Sequence, residues 1–310
     1  MVKKTEILKK DSRTGRVYFR EGVIVAFFME PPIAGIVDQL QSAFDVYLDM
    51  IPQDVLRWES IGASSEEWKP FNGTTLQRSR AQLRKEPAAK RSLTSFELSD
   101  GNIGGDAPGY GIILIGEPVE IELPDQMCLL QLYFPPGAVA EDSVESFVRD
   151  ITKLARILPY VSGYVSPALH WAELGQDQAI VESRQIVARH IGYDIQMNET
   201  GRTWLGKRLR GARWINFLGT EILERVGGIS ALRNSLPSTV DVNFVGHGAI
   251  IQAGSVPEIG DKARSVDTPV LRAIARCLEP VTAFQEVVLL GSFASWNKEY
   301  LEKWERRFLN

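Results

Sequence analysis

The chain predicts an α+β fold of two similar-sized α/β subdomains, each a mixed or antiparallel sheet packed with helices. Three observations carry that expectation. Short β-rich runs bounded by Gly, Pro and Asp are interspersed with stretches whose apolar residues recur at the helical period. The 310 residues, 44% of them hydrophobic, are enough chain for about two cores. The order of elements partly recurs after residue 158, which fits a pseudo-duplication, although no residue-level repeat accompanies it. The expected organisation is a basic arm over 1–20, an N-terminal subdomain over 21–158 and a C-terminal subdomain over 159–310.

The arm carries Lys3, Lys4, Lys9, Lys10, Arg13, Arg16 and Arg20 and has little apolar pattern before Val17, so it reads as a frayed lead-in. A first strand follows at 23–28. Ile33, Ile36, Val37, Leu40, Phe44, Tyr47, Leu48 and Ile51 then mark one face of a helix that Pro31 and Pro32 open and Pro52 closes. Asp38, Asp45 and Asp49, seven and four residues apart, form an acidic ridge on its opposite face. The stretch 58–91 is charged and broken by Pro70, Gly73 and Pro87, so it reads as surface with a short helix over 79–86. Strands are expected at 93–98, 112–115 and 127–134, the last closed by Pro135 and Pro136. From about Asp142 a second helix places Val144, Phe147, Val148, Ile151, Leu154 and Leu158 on one side and stops at Pro159.

The second half gives a strand near Tyr164, a helix through Ala179, Ser183, Ile186, Val187 and His190, and another across Trp214, Leu218, Ile222 and Val226 that Gly227 and Gly228 end. Val240, Val242 and Phe244 alternate with polar residues, the chain turns at 246–248, and 249–253 return it as a hairpin. A helix at 271–278, a strand at 284–290 and a helix bearing Trp296, Tyr300, Trp304 and Phe308 follow.

Composition removes several function classes. No run approaches the roughly 20 apolar residues of a membrane helix, and the apolar run 22–29 lacks a cleavage pattern, so a cytoplasmic protein with no membrane contact is expected. Cys128 and Cys277 lie in apolar contexts, as buried thiols of a reducing compartment do, and Cys128 reads as inert core. Zinc needs ligands at short fixed spacings. His170, His190 and His247 have no such neighbours, so neither a metal nor another cofactor is expected. Gly101, Gly104, Gly105, Gly109 and Gly111 lie between two strands beside Asp100 and Asp106, which repel phosphate, so they form a hairpin loop rather than a phosphate cradle. The stretch 254–261 lacks a phosphate-loop lysine and reads as a turn. No catalytic residue and no small-molecule substrate are expected, and an acidic pI together with a stretch free of cations disfavours direct nucleic-acid binding.

That charge is unevenly spread. Between 92 and 148 there is no Lys or Arg, but there are ten carboxylates: Glu97, Asp100, Asp106, Glu117, Glu120, Glu122, Asp125, Glu141, Asp142 and Glu145. Carboxylates without countercharges repel one another, and a cationic partner surface relieves that repulsion and is steered to it. Nucleases, which collect Lys and Arg to hold phosphates, offer such a surface.

One pattern in the C-terminal half is more specific. It consists of Gly211-Ala212-Arg213-Trp214-Ile215-Asn216-Phe217-Leu218-Gly219, Ile250-Ile251-Gln252-Ala253-Gly254 with Pro257, Gly260 and Asp261, Arg272-Ala273-Ile274-Ala275, Leu278 with Pro280, and Trp304 with Arg307-Phe308. Over 211–308 this resembles the immunity proteins of type VI secretion systems, of TsiV and TsiT type, that protect cells from nuclease effectors of the restriction-endonuclease fold. The N-terminal half resembles them only in its opening strand and amphipathic helix. The resemblance carries over no catalytic residue. It implies that Arg213, Trp214, Phe217, Gln252, Gly254, Gly260, Asp261, Trp304 and Phe308 determine the fold, with Trp214 and Phe217 in the core, Gly254 and Gly260 in turns and Asp261 at a helix cap.

The function implied is an immunity protein that neutralises a cognate nuclease effector by protein–protein occlusion, with nanomolar affinity, about -12 kcal/mol. The residues expected to meet the effector are Asp38, Asp45, Asp49, Glu97, Asp100, Asp106, Glu117, Glu120 and Glu122. Two other readings stand beside it: a small-molecule enzyme with a cleft between the halves, and a structural component of a secretion assembly.

Overall fold

The computed structural model describes residues 6–61, 67–84, 94–116, 123–172, 175–196, 203–284 and 296–310. The fold is α+β: among the described residues there are eight α-helices and one large, almost wholly antiparallel sheet of twelve strands. Its axis is β2 (Val17–Met29), thirteen residues that are nearly all apolar because both faces are covered. Val23, Val25, Phe27 and Met29 enter one core, and Ile24, Ala26 and Phe28 enter another, following the two-residue alternation of a strand.

β2 pairs antiparallel with β7 (Cys128–Phe134) on one side and with β8 (Ser162–Trp171) on the other. Beyond β7 lie β6 (Gly111–Gly116), β5 (Thr94–Ser99), β3 (Trp58–Ile61) and β4 (Lys69–Pro70). Beyond β8 lie β10 (Ile215–Leu218), β12 (Gly248–Ala253) and β11 (Val240–Val245). Short β1 (Leu8–Lys10) adds to β2, and β9 (Asp194–Ile195) runs parallel to β8. The 158/159 line falls between a helix and β8, and strands from both sides of it share one hydrogen-bonded sheet.

Five helices cover the first face: α1 (Val37–Met50), α3 (Val144–Ile157), α5 (Thr220–Arg225), α6 (Gly228–Ser235) and α7 (Pro269–Leu278). Phe44 and Tyr47 of α1 and Phe147 of α3 gather around Phe134 and Phe96 in edge-on contacts. A separate cluster wraps the start of β2, where α4 (Gln176–Arg189) and α8 (Lys298–Glu305), preceded by buried Trp296, pack on Val17 and Phe19. The remaining helix, α2 (Gly73–Arg84), lies against α1 and β5.

Four expectations need correction. Residues 8–10 and 17–20 of the supposed arm are strands, held because Arg16 donates to the Gly104 carbonyl and Ala107 donates to Val17. The helix expected across 214–226 is a strand, β10, followed by a shorter helix. Ile215, Asn216, Phe217 and Leu218 pair with both β8 and β12, and that two-sided ladder overrides the apolar spacing. Gly227 and Gly228, both at positive φ, do end α5, but they also begin α6, which the sequence reading missed. Finally, the supposed surface at 58–61 is an inner strand, where Glu59 and Ser60 are buried. The strand expected at 284–290 lies outside the described residues, apart from Phe284.

Candidate docking surface

The loop joining β5 and β6 consumes its own acids. Asp106 is buried and accepts bonds from the backbone N–H groups of Asn102 and Ile103, each at 3.1 Å. Burial raises its carboxyl pKa, against which these bonds and nearby Arg16 work. Asp100 accepts from the Gly109 N–H at 2.8 Å, with the Arg20 guanidinium over the same glycine. Both aspartates thus close the hairpin loop, as Asp does where its carboxylate replaces a backbone acceptor. At the first end of the loop the pair Asp100-Gly101 was the legible sign of this. Glu97 is half-buried on β5, opposite Ser60, and Asp125 pairs with Arg208 at 3.0 Å. Glu117, Glu120 and Glu122 lie outside the described residues.

Several exposed acids sit on the helical layer. α1 leaves β2 at Met29, whereas α3 starts where β7 ends, beside Val23, and leads back to β8 opposite Phe28. The two helices therefore pack antiparallel, bringing the C-terminal end of α1 to the first turn of α3. Exposed Asp45, Asp49 and Asp54 stand at that end with exposed Glu141, Asp142 and Glu145, and Asp38 is exposed at the far end of α1. Among the described residues no ion pair involves Asp38, Asp49, Glu141, Asp142 or Glu145. For α3 the acids suit the positive N-terminus of the helix. For α1 the opposite holds: its last turn carries Asp49 and no cation, against the negative end of the helix dipole.

A second group of charges is buried and structural. Asp194, fully buried on β9, takes the guanidinium of Arg213 through Nε at 3.0 Å and Nη2 at 3.2 Å, with Arg210 at 3.9 Å. Burial alone would raise its pKa, yet Arg213, Arg210 and Arg307 hold the carboxyl well below the usual range. Arg307 anchors the chain after α8 by donating to the Ile191 carbonyl at 2.8 Å.

The residues of the C-terminal pattern gather around this region. Trp214 and Phe217 are core, Gln252 donates to the Gly254 carbonyl, and Gly254 and Gly260 turn at positive φ. Asp261 accepts from the Ala263 N–H and binds Arg189 with two bonds of 2.8 and 2.7 Å, while Trp304 and Phe308 are buried.

An open cleft lined by Glu30, Asp125, Lys207, Arg208 and Arg225 is the place to look for small-molecule chemistry. Its charges are spent on one another: Lys207 bridges Glu30 at 3.2 Å and Glu221 at 2.8 Å. None of the three histidines lines it. His170 is fully buried with Nδ1 on the Pro108 carbonyl, His190 faces the Gly260 carbonyl and His247 the Tyr160 carbonyl. Among the described residues no group of three or more His, Cys, Asp or Glu is placed to hold a metal ion, and no helix is long and apolar enough to cross a membrane.

A broad sheet backed by helices, with a cluster of exposed carboxylates where the end of α1 meets the start of α3, defines a protein whose exposed chemistry is suited to binding another macromolecule. The family model TsiV, described as type VI immunity for VRR-NUC, matches residues 39–308, and the chain belongs to that family. The Pseudomonas aeruginosa T6SS protein PA0821 has a similar fold, with a TM-score of 0.81 at 19% identity, over 98% of this chain and 87% of that one. No curated protein matches.

Proposed function

We propose that this chain is a cytoplasmic immunity protein that binds a nuclease effector of the VRR-NUC type and neutralises it by covering its substrate cleft, without catalysis of its own. Membership of a type VI immunity family carries the reading, and the acidic end of α1 and α3 supports its mechanism. A nuclease cleft is cationic, and carboxylates held out on a rigid helix end steer it into contact and replace the phosphates it binds. Protection demands nanomolar affinity, about -12 kcal/mol, over an interface of roughly 800 Å² per partner. In this reading Asp38, Asp45 and Asp49 meet the effector, with their exposure as support. Asp100 and Asp106 serve the loop instead, and the start of α3 takes their place.

The test is co-expression of this chain with the VRR-NUC nuclease encoded in the same locus. Cells should survive, and a one-to-one complex should elute. Death of the cells together with absence of a complex overturns the proposal.

A further inference from the structure

The open edge of the sheet suggests how such a partner is held, and the inference rests on the reading of this chain as a binder of a nuclease effector. Ala253 donates to Trp214 at 2.7 Å, so Ala249, Ile251 and Ala253 face β10, and Gly248, Ile250 and Gln252 face β11. Alternation then ties Asp241, Asn243 and Val245 to β12 and turns the backbone groups of Val240, Val242 and Phe244 outward. Two of these outward groups are already engaged: Val240 donates to Pro237 at 2.9 Å, and the Val242 carbonyl takes two bonds from Arg233 at 3.1 and 2.7 Å. Such capping blunts an edge against pairing with another chain.

The guard stops short of Phe244. Among the described residues its N–H and C=O both lack partners, and its side chain is 63% exposed, the largest value among the exposed large hydrophobics. Next to it, Gly246 sits against the backbone of Ala155 and Arg156, and the exposed Arg156 has no ion pair among the described residues. α3, 14 residues or about 21 Å long, joins this edge to the acidic helix end, well within the width of one ordinary interface.

We propose that an extended segment of the nuclease effector pairs antiparallel with β11 at Phe244, setting an apolar side chain against the exposed ring and a carboxylate on Arg156. A second copy of this chain is disfavoured in the register centred on Val242, where self-pairing needs the Val240 N–H and the Val242 carbonyl, and both are taken.

Hydrogen exchange of the amides of Val242 and Phe244 tests this in the unmodified full chain, alone and with the VRR-NUC nuclease encoded in the same locus. Both amides should exchange readily in the free protein and slow at least tenfold in the complex. Phe244→Ala and Arg156→Glu should each speed dissociation about tenfold. A complex that leaves both amides as fast as before overturns this inference alone, and so does concentration-dependent protection in the free chain, which would mark a homodimer. Absence of any complex overturns the functional reading and this proposal with it.

Discussion

At the scale of single residues, buried charge explains where this protein is fragile. Asp194 is surrounded by Arg213, Arg210 and Arg307, so Asp194→Asn removes the carboxylate bonded to Arg213, leaves Glu305 to balance three guanidinium groups, and should cost about 3–5 kcal/mol in urea unfolding. His170 behaves oppositely. Burial lowers its pKa to about 3, with the Pro108 carbonyl working against the shift. The unfolded chain therefore takes up the proton first, from about pH 6.5, and stability present above that pH declines toward pH 3 by about 1.4 kcal/mol per unit. His170→Asn, compared with the parent at pH 7 and pH 5, should remove most of that slope. Asp261, held at about 2 chiefly by its bonds to Arg189, adds stabilisation that is present above about pH 3.9 and fades only as pH falls toward 2.

At the scale of elements, α1 sets stability against binding. Asp49→Lys places a cation at the negative end of the helix dipole and should stabilise the free protein by about 0.3–1 kcal/mol. The same change removes a carboxylate from the proposed steering surface. Stopped-flow association with the nuclease should slow about tenfold at low salt, more so with Glu141→Lys added, and its salt dependence should flatten. Asp106→Lys should instead lower fold stability with little change in the salt dependence of association, because its carboxylate faces the loop backbone.

Elements with one dominant signal were legible in the sequence. α3 shows a clean apolar stripe between an acidic start and Pro159, β6 is a continuous apolar run, and β7 is apolar apart from Gln131. β10 was not, because its four residues gain strand geometry from β8 and β12, whose nearest paired residues lie about thirty or more positions away. Nor was the fate of Asp106, since Val17 and Arg16 reach it only after β2 is in place. The exposure of Phe244 escaped for a similar reason: its alternation matches Val240 and Val242, and only the extent of the helical cover distinguishes them.

At the scale of the whole molecule, the sheet couples both ends of the sequence. β8, from beyond residue 158, lies against nearly the full length of β2. Unfolding should be one cooperative transition, with circular dichroism and fluorescence midpoints coinciding in urea. The fragments 1–158 and 159–310 should each fail to show the intact chain's dispersed amide spectrum, since each exposes a long apolar strand face. That coupling has a temporal side. A ribosome adds about 5–20 residues per second, and β2 waits for β8 more than a hundred residues later, and for β10 and β12 after that. On the proposed function, these 310 residues give no protection for roughly 15–60 seconds at that pace, so a cell that relies on them does well to keep a finished stock ahead of the effector.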